Sequence, residues 1–207
     1  MKKQSQRIRH FLLLCISAVF LCASCAYQYE PLVKDKRLLY YHNVHSTVVI
    51  PFLDQTRTPG VAGKVTECFT EELARFGELA VVHSTSVAAY LRENNIAVTE
   101  KNVRDVALRI ARAFHVETAV IGAVTEFNAF FPPKLGLSFE VIRVRDEKSI
   151  IAVSETYDAA FNYVRDEAEA YAGLRDEHDS VFGREIVLRK MDLYIEFVCY
   201  RLIKKNL

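Results

Sequence analysis

Two cysteines three residues apart, Cys22 and Cys25 in "FLCASCAYQYE", are the first residues in this chain whose type and spacing suggest chemistry. Such a pair serves thiol exchange or supplies half of a metal site. Other candidate groups are His42 and His45, an i, i+3 pair in "YYHNVH", then His83 and His115, then Cys68 and Cys199. A zinc site needs three or four converging ligands. Cys68 and Cys199 fall on the apolar sides of two predicted helices, remote in sequence from the histidine pair, so nothing completes a set. Gly60 and Gly63 open a helix without the Lys-Ser/Thr that a phosphate cradle requires. The acidic run "RDEAEAYAGLRDEHD" lacks the alternating ligands and central glycine of a calcium loop. No G-x-S-x-G, P-loop, dinucleotide fingerprint or H-E-x-x-H occurs. The expectation is therefore a non-enzymatic protein with no catalytic, cofactor-binding or metal residues.

The first cysteine pair has another reading, set by its surroundings. "MKKQSQRIRH" is cationic, "FLLLCISAVFL" is apolar, and "CASC" is a patch of small residues. That order is a secretory signal layout, and the apolar run falls short of the ~20 residues a spanning helix needs. The segment resembles a bacterial lipoprotein signal, which places small residues at the two positions before an acylated cysteine. Ala23 and Ser24 precede Cys25; bulky Phe20 and Leu21 precede Cys22, and Leu12–Leu14 precede Cys15. The third position before Cys25 departs from the pattern, with Cys22 where leucine is usual. By this resemblance residues 1–24 are a signal peptide, Cys25 is the lipid-attachment residue bearing palmitate, and Cys22 is discarded. Ala26 rather than aspartate then implies sorting to the outer membrane, facing the periplasm.

Charge supports a body that does not bind nucleic acid. Lys2, Lys3, Arg7 and Arg9 lie in the leader, and the remaining 23 basic residues face 26 acidic ones. A mildly acidic domain has no electrostatic footprint for DNA or RNA. Once the leader is removed and Cys25 acylated, Cys68 and Cys199 are the remaining thiols. An oxidising compartment would permit one disulfide between them; two free thiols in apolar cores is the favoured alternative.

The elements that must position any site follow from periodicity. Residues 25–44 have no sustained period and form a tether, leaving one domain over 45–207 of ordinary single-core size. "STVVIPFLD" is a strand, with Thr58 and Pro59 set to cap and open the next helix. "GVAGKVTECFTEELARFG" carries Val61, Val65, Cys68, Phe69, Leu73 and Phe76 on one stripe, closed by Gly77. "ELAVVH" is a short strand and "STSVAAYLREN" a short helix. "TEKNVRDVALRIARAFH" turns Val103, Val106, Ile110 and Phe114 inward and Asp105, Arg109 and Arg112 outward. "VETAVIGAVTEFNAFF" is a strand stopped at Pro132-Pro133. Two alternating runs, "KLGLSFEVIRVRD" and "KSIIAVSETYDAAFNY", form a hairpin about a charged turn near Asp146-Glu147, with Leu135, Leu137, Phe139 and Val141 on one face. "VRDEAEAYAGLRDEHDS" is exposed and partly helical. "VFGREIVLRKMDLYIEFVCYRLIKK" is one long helix with Leu188, Ile195, Cys199 and Leu202 inside and Lys204 and Lys205 against its C-terminal dipole.

The order β-α-β-α-α-β-β-β-α predicts an α/β fold, a mixed sheet with helices packed on it, in a single domain. Over residues 46–163 the chain resembles a group of envelope lipoproteins and related domains: the curli-secretion-channel lipoprotein, the peptidoglycan-synthase activator lipoprotein and the N-terminal domain of the Tol translocation protein. The resemblance rests on "VVIPFLDQTRTPG", a helix ending "LARFG", "LAVVHSTSVAAYLRE" and "IARAFHVETAVIGAVTEF". It implies a binding or assembly factor held to the membrane by its lipid, with an envelope protein as partner. The alternative it implies is a subunit of an oligomeric outer-membrane secretion channel that inserts the 134–163 hairpin. The expected partner surface is Phe127, Phe130 and Phe131 in "FNAFFPP", since aromatic anchors beside a proline break are frequent interface hot spots. Core packing of the same three rings is the competing expectation. Oligomeric state is left open.

Overall fold

The computed structural model describes residues 44–75, 79–174 and 183–207. Within them run β1 (Ser46–Val49), β2 (Leu53–Asp54), α1 (Val61–Arg75), β3 (Ala80–Val82), α2 (Ser84–Glu93), α3 (Val103–Ala113) and β4 (Thr118–Asn128). Then follow β5 (Lys134–Arg143), β6 (Lys148–Asp158), α4 (Asn162–Leu174), α5 (Gly183–Arg189) and α6 (Met191–Asn206). The strands form one mixed sheet in the order β3-β1-β4-β5-β6, with β2 also beside β4. β1 and β3 run parallel, as do β1 and β4, whereas β4, β5 and β6 alternate in direction. This is the expected fold class and, in outline, the expected order.

Strand alternation divides the core into two layers. Val49, Val120, Leu135, Leu137, Phe139 and Val141 point to one face, where α1, α4, α5 and α6 cover them. Val48, Ile50 and Ala119 point to the other face and pack under α2 and α3 through Val87, Val106, Ala107, Ile110 and Ala111. Successive residues on opposite sides is the period-2 signature of a strand buried on both faces.

Pro51 and Phe52 interrupt the first strand. Ile50 N–H donates to Val120 O at 2.9 Å and Gln55 N–H to Val124 O at 3.0 Å, so pairing with β4 resumes after the break. In between, the Phe52 amide donates to Thr66 Oγ1 at 2.9 Å, and that hydroxyl donates to Ala62 O at 2.7 Å. The break thus ties the sheet to α1. The expected cap is displaced: α1 begins at Val61, after Gly60 at φ 84°, and Lys64 N–H donates to Gly60 O. A positive φ at this turn suits glycine, so Thr58 and Pro59 sit in the approach to the helix. The expected stop at Gly77 lies outside the described residues.

α2 and α3 end in the same way without glycine. Asn95 and His115 adopt φ of 51° and 53°. Their amides donate to Arg92 O and Arg112 O, and the next amides, of Ile96 and Val116, donate to Leu91 O and Ala111 O. That paired pattern is the Schellman closure, with an apolar residue following it into the core.

Three expected boundaries shift. β4 stops at Asn128 rather than 131, because Asn128 Oδ1 accepts the Phe130 amide at 3.0 Å and turns the chain. The second hairpin strand ends at Asp158, whose carboxylate accepts the Ala160 amide at 2.8 Å. The single long C-terminal helix is two, broken at Lys190, which is extended at φ −95° and ψ 108°. A straight helix would place Tyr194 about 240° around the axis from Leu188. The break lets Leu188 and Tyr194 both enter the core, and α6 is then buried through Ile195, Phe197, Val198, Cys199, Leu202 and Ile203.

Candidate partner-binding site

Of the sequence-derived site residues, Cys25 lies outside the described residues. The three phenylalanines separate. Phe127 pairs with Leu135 across β4 and β5 and packs, partly buried, against the larger core. Phe130 and Phe131 leave the sheet and are 83% and 60% exposed. The split follows from the turn at Asn128, beyond which strand alternation no longer directs side chains inward.

The turn brings in two aromatic residues that sequence reasoning missed. Lys134 pairs with Asp158, and the Ala159 amide donates to Pro133 O at 2.9 Å, so the β4–β5 loop and the β6–α4 segment lie side by side. Phe161 and Tyr163 are therefore brought to the same end of the sheet, 57% and 56% exposed, with rings stacked at 6.0 Å and 25°. The signal was available: the predicted hairpin, carried to its open end, sets "DAAFNY" beside "FFPPK".

Both loops are held from within. The Phe161 amide donates to Asp158 O at 3.0 Å, and Arg165 donates from Nε to Ala159 O at 2.6 Å and from Nη2 to Ala160 O at 3.2 Å. Lys134 Nζ is 2.7 Å from Glu126 and 3.7 Å from Asp158. Arg189 of α5 lies over the Phe131 ring, 5.5 Å from its centroid. A loop already ordered in its binding conformation loses less entropy on association.

The remaining candidates stand apart from this tip. His45, His83 and His115 are each exposed; His42 lies outside the described residues. Among the described residues no three or more His, Cys, Asp or Glu side chains gather as a metal site. Cys68 and Cys199 are free thiols, both buried between helices and sheet. Burial pushes Cys68 up to about 12, against an opposing pull from Lys64, and raises Cys199 as well. A thiol held protonated is a poor nucleophile and a poor metal ligand. An open groove of about 310 Å³ lies on the sheet beside α3, lined by Val103, Ile121, Ser138, Glu140 and Ala152 among others. Its carboxylate, Glu140, is paired with Arg104 at 2.6 Å.

The hairpin is an integral part of the sheet. β5 lies between β4 and β6, and Leu135, Leu137, Phe139 and Val141 are buried in the larger core. Among the described residues no helix is long and apolar enough to cross a membrane.

This mixed sheet with helices on both faces is similar in fold to a solved bacterial lipoprotein. That protein is lipoprotein GNA1162 from Neisseria meningitidis, with a TM-score of 0.50 and 12% identity, covering 66% of this chain and 99% of that one. The LpoB C-terminal domain from Salmonella enterica matches at a TM-score of 0.46 and 13% identity, over 58% of this chain and 92% of its own. A PelC dodecamer from Paraburkholderia phytofirmans matches at 0.39 and 18%, over 57% and 75%. At these identities the likeness is one of fold. No protein-family model matches the sequence, and no curated protein matches it significantly.

Proposed function

We propose that this chain is a non-enzymatic envelope lipoprotein, anchored in the outer membrane through Cys25, whose α/β domain binds protein partners in the periplasm during assembly or secretion. The observation that carries this reading is the leader itself. A cationic segment, an apolar run and the small residues Ala23 and Ser24 stand immediately before Cys25. A domain with the fold of lipoprotein GNA1162 follows. Acyl chains on one cysteine give stable anchoring because each buried methylene contributes ~0.8 kcal/mol and the chains add. A channel subunit inserting the 134–163 hairpin would have to strip four core side chains from β5, which favours the binding factor.

Metabolic labelling with a palmitate analogue tests the anchor. The wild-type chain incorporates label, and Cys25→Ser yields an unlabelled soluble or unprocessed form. Label retained on Cys25→Ser refutes the assignment. Detergent-extracted particles of one or two chains exclude a ring.

A further inference from the structure

We propose that the aromatic tip formed by Phe130, Phe131, Phe161 and Tyr163 docks a protein partner presenting an apolar cleft with a carboxylate at its rim. This deepens the binding-factor reading and rests on it. Five large apolar side chains are exposed among the described residues, and four of them sit at this one end of the sheet. Their combined exposed area is on the order of 400–600 Å², the size of the largest, often functional, patch on a monomer. Two loops separated by the whole β5–β6 hairpin are needed to build it, joined by the Ala159–Pro133 hydrogen bond.

Two observations select the occupant. First, the rim carries no excess of cations. Lys134, Arg165 and Arg189 stand with Glu126, Asp158 and Glu185; Lys134 is paired with Glu126 and Asp158, Arg189 with Glu185 at 3.4 Å, and Arg165 is bonded to the carbonyls of Ala159 and Ala160. A surface that lies on anionic lipid carries an excess of cations. Second, Arg189 is 66% exposed and oriented by the Phe131 ring, and its exposed pair with Glu185 is weak enough to exchange for a partner's carboxylate. The patch falls short of the ~800 Å² per partner of a standard stable interface, so it serves as the anchor of a larger or transient contact.

The full chain, purified in micelles, is exposed to a displayed library of random short peptides. Enriched sequences combine large aliphatic or aromatic residues with Asp or Glu. Their binding weakens about tenfold or more in Phe130→Ser/Phe131→Ser and, separately, in Phe161→Ser/Tyr163→Ser, while Arg145→Ala at the far turn leaves it unchanged. Arg189→Gln weakens the acidic peptides and spares those without an acid. Because the two aromatic pairs lie on different loops, a folding failure in one leaves the other as the test. The sequence contains no tryptophan, so Phe130→Trp in nanodiscs of brominated lipid reports contact with the bilayer. No enrichment, equal binding by both variants, quenching by brominated lipid, or a wild-type dimer that either pair of substitutions dissolves would each overturn the proposal. None of these outcomes bears on Cys25, whose labelling stands or fails by itself.

Discussion

Gly122 in β4 faces the ring of Phe52, and a Cβ built on that glycine would lie 2.4 Å from Phe52 Cε1. Phe52 is buried in the larger core and tilts against Phe69 at 5.3 Å, so the ring has little room to retreat. The strand carries glycine because the chain break at Pro51-Phe52 drives an aromatic side chain across it. Gly122→Ala is expected to cost ~1–3 kcal/mol through overpacking, read as a lower midpoint in denaturant. Adding Phe52→Leu should recover part of that loss relative to the sum of the single changes, and strict additivity would argue against the contact.

Tyr194 closes the sheet edge by donating its hydroxyl to Tyr157 O at 2.9 Å in the core. Tyr194→Phe keeps the packing and leaves a buried carbonyl without this donor. The expected cost is about 1–2 kcal/mol. A loss below a few tenths would mean that the carbonyl finds another donor.

His115 ends α3 in the left-handed region. Replacing it with glycine removes the Cβ strain at that position, partly offset by glycine's greater freedom when unfolded, for an expected gain of about 0.5–1 kcal/mol. Asn95→Gly, at the equivalent position of α2, should gain less, because asparagine tolerates this conformation. Destabilisation by His115→Gly would indicate a role for the imidazole beyond closing the helix.

Arg143 donates two hydrogen bonds to Asp146 across the hairpin turn, at 2.9 and 2.8 Å, and lowers its carboxyl to about 2 from 3.8. A depressed carboxyl contributes stability that is present above its unfolded pKa and lost as pH falls through its folded one. The contribution is therefore complete above pH 3.8 and disappears towards pH 2. Carboxyl-detected NMR titration should give a midpoint near the lower value, and Arg143→Ala should return it towards the higher one.

The two thiols offer a direct check on core closure. Held protonated by burial, Cys68 and Cys199 should resist iodoacetamide in the native protein at neutral pH and react in denaturant, with labelled peptides identifying each site. Labelling of Cys68 under native conditions at the rate of a free thiol would show that α1 and α6 open readily.

What was legible in the sequence was whatever local periodicity encodes. The α3 stripe of Val106 and Ile110, the alternating β5 face from Leu135 to Val141 and the buried helical positions of Cys68 and Cys199 each repeat with the period of their own element. The proposed leader and the proposed attachment at Cys25 rest on equally local features, the order of the segments and the size of the side chains before the cysteine. Tertiary contact alone decided the break at Lys190, with neither glycine nor proline between Arg184 and Asn206, because it answers to burial on several sides of α6. It also decided the Gly122–Phe52 fit and the placing of Phe130, Phe131, Phe161 and Tyr163 at one end of the sheet. Those pairings depend on strand register and loop path, which set distances between residues far apart in the chain. A pattern read along one segment carries no information about what the next segment lays against it.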